Sequence, residues 1–231
     1  LHTLGLTRKT NMNLIPRKSG FTLVELLVVI SVILIASSII FIGGSGGDGA
    51  SLSSSLRITS GIANGARGQA ILKNARTRLI IHNDKNGNID KYRRFIGIVY
   101  EDTSTPVAND WIAGTQGTYL PEGIYFDPVA SAEAGVGSGW SPGNVMSIDF
   151  PRSVAKVDGS GEHFFFYEAN SNGTMASGFE NDWLVIRAAT LRPSNGGDLD
   201  LVFEEDQENL KAGLIFRRVG TTTPVTDPEA L

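Results

Sequence analysis

The feature that most constrains this chain is the interval between Lys18 and Arg57, which holds no basic residue and only two acids, Glu25 and Asp48. Within it, Phe21 to Ile42 is 22 residues, about 33 Å as a helix at 1.5 Å per residue. The hydrocarbon core of a bilayer is about 30 Å thick. From Leu26 to Ile42 the only polar side chains are Ser31, Ser37 and Ser38, whose hydroxyls can hydrogen-bond back to their own helix. A buried helix of a globular domain usually carries a polar stripe. This run carries none, and it reads as a single membrane span. Arg17 and Lys18 stand immediately before it, and the 14 positions after it contain no basic residue. That bias keeps the N-terminus in the cytoplasm and places everything after Ile42 outside.

Glu25 is the anomaly. A carboxylate inside a span costs on the order of 3 kcal/mol on insertion scales, so it needs a partner. A removable secretory signal also begins with a basic region and an apolar run, but this run is long for a signal. Its far end, GGSGGDGAS, is a weak small-residue cleavage site, and a glutamate suits a signal core poorly. The residues Gly20, Phe21, Thr22, Leu23, Val24, Glu25, followed by Leu26, Leu27, Val28 and Val29, resemble the type IV prepilin cleavage and methylation motif. The resemblance implies that a membrane-embedded prepilin peptidase cuts between Gly20 and Phe21 on the cytoplasmic side and that the new amine of Phe21 is methylated. It also implies that the helix anchors the subunit in the inner membrane and later packs among like helices in a filament. The Phe21 amine of one subunit then pairs with Glu25 of its neighbour, which offsets desolvation and fixes register. Glycine at position 20 lets a peptidase approach the backbone closely. Met12 opens a nine-residue basic leader, MNLIPRKSG, and translation is expected to begin there.

The organisation expected is a leader over residues 1–20, a transmembrane and filament-core helix over 21–42, a glycine-rich hinge over 43–51 and a periplasmic β-rich head over 52–231. The hinge rests on five glycines in Gly43–Gly49, each costing about 1 kcal/mol in a helix relative to alanine. After it, Leu52, Leu56, Thr59, Ala63, Ala66 and Ala70 alternate at four and three residues and define one helix face, with Asp48 or Ser51 as N-cap. From Thr77 the pattern changes to strands. TRLIIHND and YRRFIGIVYED are expected to join across a hairpin turn at Asn86-Gly87. GIYFDP, VMSIDF, EHFFFYEA, WLVIRAATL, DLDLVFE and AGLIFRRVG are further strands. The fold class is therefore α+β: a long N-terminal hydrophobic helix, then a helix packed on a mostly antiparallel head of two sheets. Ala66-Arg67, the approach Leu120 to Ile124, and a Phe-rich strand ending in Asn172-Gly173 also resemble the minor pseudopilins of the GspH/FimT group. Residues Thr103 to Gly143 read as a long surface loop.

Other candidate sites are weaker. Asp84, Asn86, Asn88 and Asp90 resemble a calcium loop, but the glycine stands fourth and Phe95 replaces the twelfth-position glutamate, so a solvated turn is expected, with no metal or other cofactor. His2, His82 and His163 are scattered and read as surface residues, forming neither a metal set nor a triad. Glu204, Glu205, Asp206 and Glu208 read as a solvated acidic loop. Phe164 to Phe166 alternate across a strand, one face for the core and the other for an interface. With no cysteine, disulfides, thiolate metal sites and cysteine nucleophiles are excluded. From Phe21 onward 16 basic residues face 24 acidic ones, a formal charge of −8. That balance disfavours DNA as a partner, since phosphate neutralisation needs clustered cations, and Arg93-Arg94 and Arg217-Arg218 are the only adjacent basic pairs after the leader.

The function expected is a non-enzymatic filament subunit, a minor pseudopilin of a type II secretion system. The alternatives are a minor type IV pilin or a membrane-anchored module binding DNA or another ligand. The partners expected are prepilin peptidase, other pilins or pseudopilins, the inner-membrane assembly machinery and membrane lipid. Assembly would take place in a periplasmic pseudopilus.

Overall fold

A computed structural model describes residues 23–31, 45–104, 110–134, 140, 144–150, 155–156, 161–193, 199–204 and 207–231. The chain divides into two compact units, Leu1–Gly44 and Ser45–Leu231.

In the first unit residues 23–31 are helical. Leu23, Val24, Leu26, Leu27, Val28, Val29 and Ile30 are all exposed, so apolar side chains surround this segment except at Glu25 and Ser31. Ser31 Oγ donates to Leu27 O at 2.8 Å, the back-bond that lets a hydroxyl sit in an apolar helix. Among the described residues no helix is long and apolar enough to cross a membrane. Residues 32–42, which complete the apolar run, lie outside the described residues.

The second unit opens with helix α1 (Ser45–Lys73). It begins seven residues before the start expected at Leu52. Glycines weaken a helix but do not forbid it, and once a nucleus has formed each added residue contributes a bond. From Ser45 onward the stretch expected as a hinge is therefore helical, and neither Asp48 nor Ser51 stands at the N-cap. The expected face is the buried one: Leu52, Leu56, Thr59, Ala63, Ala66 and Ala70 all lie in the interior. Burying each of the two leucines is worth about 1.5–3 kcal/mol. Ser55 and Thr59 join this face by donating to Ser51 O and Ser55 O. The helix stops in a left-handed turn: Asn74 has φ +48°, Ala75 N–H donates to Ala70 O, and Asn74 N–H donates to Ile71 O, which satisfies two terminal carbonyls.

Strands β1 (Thr77–His82), β2 (Phe95–Glu101), β3 (Asp110–Ala113), β4 (Thr118–Tyr119), β6 (Val145–Ile148), β7 (Ala155–Lys156) and β8 (Glu162–Ala169) form a seven-stranded antiparallel sheet. Its order is β6-β8-β1-β2-β3-β7, with β4 also on β2. Strands β5 (Ile124–Asp127), β9 (Asp182–Ala188), β12 (Lys211–Phe216) and β13 (Thr222–Val225) form a second sheet, β13-β12-β9-β5, while β10 (Thr190–Pro193) and β11 (Leu199–Val202) make a separate ribbon. Helix α1 contacts strands of both larger sheets. Tyr167 of β8 joins the two, stacking on Phe216 of β12 at 4.4 Å and donating its hydroxyl to Trp183 O at 2.6 Å.

Four differences from the sequence reading have local causes. A two-residue loop at Asn86-Gly87 would set Ile81 opposite Tyr92, but Ile81 faces Ile96. Neither Asn86 nor Gly87 has the positive φ that such a turn requires, and the connection takes up residues 83–94. The offset is even, so every side chain keeps its face. Beside the strand expected in GIYFDP, which is β5, the loop expected over Thr103–Gly143 contains β3, β4 and helix α2 (Pro128–Ala134), capped by Asp127, whose Oδ1 accepts from Val129 N and Ala130 N. WLVIRAATL is divided after Ala188 between two sheets. AGLIFRRVG turns at residues 217–221, where Gly220 at φ +81° closes a three-residue hairpin into β13.

The expectation that the Phe-rich strand presents one face to an interface is corrected as well. Phe164, Phe165 and Phe166 are all buried, because the sheet is covered on both faces. The strands at its two ends, β6 and β7, contact each other, and the curl encloses Phe150, Phe164 and Trp111, leaving no interface face on β8.

Candidate functional site

Of the residues the sequence singles out, Arg17, Lys18, Gly20 and Phe21 lie outside the described residues. Glu25 lies on the helical segment 23–31 and is exposed. On a helix its nearest neighbours are three and four positions away, so Val28 and Val29 flank it and its carboxylate rises from an apolar surface. Such a group is stable in water or beside a cation, and costly against hydrocarbon without one.

The head gathers its charges differently from the sequence expectation. Arg78 on β1 stands directly opposite Glu168 on β8, with Arg78 Nε donating to Glu168 Oε2 at 2.7 Å. The guanidinium is sandwiched, 3.8 Å from the Phe166 ring centroid and 4.2 Å from that of Trp111. Burial lowers the Arg78 pKa, with Glu168 opposing. Arg76 grips Glu101 by two hydrogen bonds of 2.6 and 2.9 Å and reaches Glu168 at 3.5 Å. That grip lowers the Glu101 pKa, first through the hydrogen bond from Arg76. The cluster joins β1, β2, β3 and β8. Sequence spacing gave no sign of it, since its members lie on four strands.

His82 is fully buried, correcting the surface assignment, while His163 is exposed. The His82 ring packs edge-on against Phe164 at 5.2 Å, and Nε2 stands 3.7 Å from Glu162 Oε1. Lys91 holds that same carboxylate at 2.7 Å. Burial is the main cause lowering the His82 pKa, helped by Lys91 and opposed by Glu162 and Asp84.

In the loop between β1 and β2, Asp84 Oδ1 accepts from Asn86 N and Asn88 Oδ1 accepts from Asp90 N, so these oxygens close turns. Among the described residues no three His, Asp or Glu gather into a set that could hold a metal ion. Glu204 pairs with Arg192; Glu205 and Asp206 lie outside the described residues. Both basic pairs make contacts within the head. Arg93 donates to Asn83 and Arg94 to Leu120 O, while Arg217 donates to Thr223 and Arg218 pairs with Glu180.

Residues 15–41 match the family described as the prokaryotic N-terminal methylation motif. No curated protein and no solved structure was found to match the chain. The chain therefore carries a type IV prepilin-like signal at its N-terminus, as the residues Gly20 to Val29 imply, and that signal supports a pilin-like or pseudopilin protein.

Proposed function

We propose that this protein is a non-enzymatic minor pseudopilin of a type II secretion system, anchored in the inner membrane by residues 21–42 with its head in the periplasm. Prepilin peptidase cuts between Gly20 and Phe21, the Phe21 amine is methylated, and the helix enters a filament with other pseudopilins. The observation that carries this reading is the methylation motif over residues 15–41, with Glu25 placed on a helical surface that is otherwise apolar. Arg17 and Lys18 hold the leader on the cytoplasmic side. A minor pilin of a type IV pilus uses the same motif and is the second reading. A DNA-binding module is disfavoured by the charge balance after Phe21, where 16 basic residues are interleaved with 24 acidic ones.

The charge pair gives the test. Glu25→Leu removes a charge costing on the order of 3 kcal/mol on membrane insertion, so the amount in the inner membrane should hold or rise. Incorporation into crosslinked filaments should fall, because a neighbour's Phe21 amine is then buried without a counter-ion, a defect of about 3–5 kcal/mol. Glu25→Gln should assemble nearly as poorly, since an amide accepts a hydrogen bond but carries no charge. Wild-type incorporation of both variants would overturn the pairing role.

A further inference from the structure

We propose that Asn86 is a spontaneous modification site, where loss of the side-chain amide adds one negative charge to the exposed loop between β1 and β2. The Gly87 backbone nitrogen attacks Asn86 Cγ and forms a five-membered succinimide. The bond from Cγ to the amide nitrogen breaks, and the proton from Gly87 N–H leaves with ammonia. Water then adds to either ring carbonyl and opens it to aspartate or to isoaspartate. No oxidant or reductant is involved.

Glycine after asparagine makes this attack sterically open, and the chain offers the pair four times: Asn64-Gly65, Asn86-Gly87, Asn172-Gly173 and Asn195-Gly196, the last outside the described residues. Two of the described pairs are restrained. Asn64-Gly65 lies within α1, where the Gly65 N–H belongs to the helix ladder and the backbone holds one conformation. At Asn172-Gly173 the glycine is buried and its N–H donates to Asn170 O at 2.8 Å. Asn172 Oδ1 also accepts from Thr174 N at 3.0 Å and Thr174 Oγ1 at 2.7 Å. Asn86 and Gly87 are both exposed. Among the described residues the one tie at this pair, Asn86 N–H to Asp84 Oδ1 at 2.9 Å, involves neither the attacking nitrogen nor the departing amide.

The site is placed where the product matters. The new carboxylate joins Asp84 and Asp90 in one loop, beside Lys85, which reaches across to Asp200 of the β10–β11 ribbon at 3.3 Å. Isoaspartate also lengthens the backbone by one carbon between strands whose register is fixed on either side.

The test is to age the detergent-solubilised full-length protein at mildly alkaline pH and follow each Asn-Gly peptide by mass spectrometry. Asn86 should convert roughly tenfold or more faster than Asn64 and Asn172, since both of those must first break hydrogen bonds and open local structure. Gly87→Ala supplies the control. Gly87 has no positive φ, and an added Cβ would meet its nearest neighbours at 3.5 Å, so the loop keeps its form while the attack is hindered and Asn86 conversion slows. Equal conversion at Asn64 or Asn172, or an unchanged rate at Asn86 in Gly87→Ala, would overturn the assignment.

Discussion

Arg78→Met offers the sharpest test of what holds the head together. The guanidinium is the close partner of Glu168, at 2.7 Å, and among the described residues the only other cation in reach of that carboxylate is Arg76 at 3.5 Å, already committed to Glu101. Methionine fills similar space between Phe166 and Trp111 but leaves Glu168 buried with one distant counter-ion. Removing one member of a buried pair costs on the order of 3–5 kcal/mol, and loss of the cation from two ring faces adds about 1 kcal/mol. For a unit of this size each kcal/mol shifts the melting temperature by about 2–4 °C. Arg78→Met should therefore lower the melting temperature of the Ser45–Leu231 unit by on the order of 10 °C. Arg78→Met with Glu168→Leu should recover most of that loss, because a well-packed apolar pair replaces a buried ion pair at little net cost. The assay is thermal unfolding together with urea unfolding of the wild type, the two single variants and the double variant, the melting temperatures giving the shift and the urea free energies read as a cycle. If the two single losses simply add in the double variant, the pair is not coupled and the reasoning fails.

Three further outcomes follow from the head. The folded-state pKa of His82 is lowered by burial from its ordinary 6.5, so its contribution is full above pH 6.5 and is lost as pH falls through the folded value; unfolding measured against pH should show an acid limb below 6.5 that flattens in His82→Leu. Gly220→Ala should be severely destabilising, because its Cβ would fall 1.8 Å from Gly173 O at a φ of +81°, whereas Gly87→Ala should melt close to wild type. Duplex DNA should bind the head weakly or not at all at physiological salt, and a salt-sensitive sub-micromolar affinity lost on replacing Arg217 and Arg218 by alanine would revive the uptake reading.

Much of the fold was readable where one periodicity acted alone. The α1 face from Leu52 to Ala70 and the strand cores TRLIIH and EHFFFYEA were explicit because burial sets the spacing. The helix start was not, since Gly46, Gly47 and Gly49 argue locally against helix and only propagation from the packed residues overrides them. Strand β13 was missed because Pro224 reads as a strand breaker. It pairs with Leu214 on the outermost strand, at a position whose backbone points away from β12, where a missing N–H costs no ladder bond and also discourages a further strand. The Arg76–Glu101 and Arg78–Glu168 pairs join residues far apart in sequence, which no spacing rule reaches. The N-terminal motif was legible in full, because a peptidase and a neighbouring helix must read it as a short linear segment.

The central claim rests on that segment, and the mass of the mature N-terminus tests it most directly. Protein extracted from the inner membrane should begin at Phe21 with a methylated amine and retain the whole apolar run. A chain beginning after Gly43 or Gly47, with the apolar run removed, would show an ordinary exported protein and contradict the account.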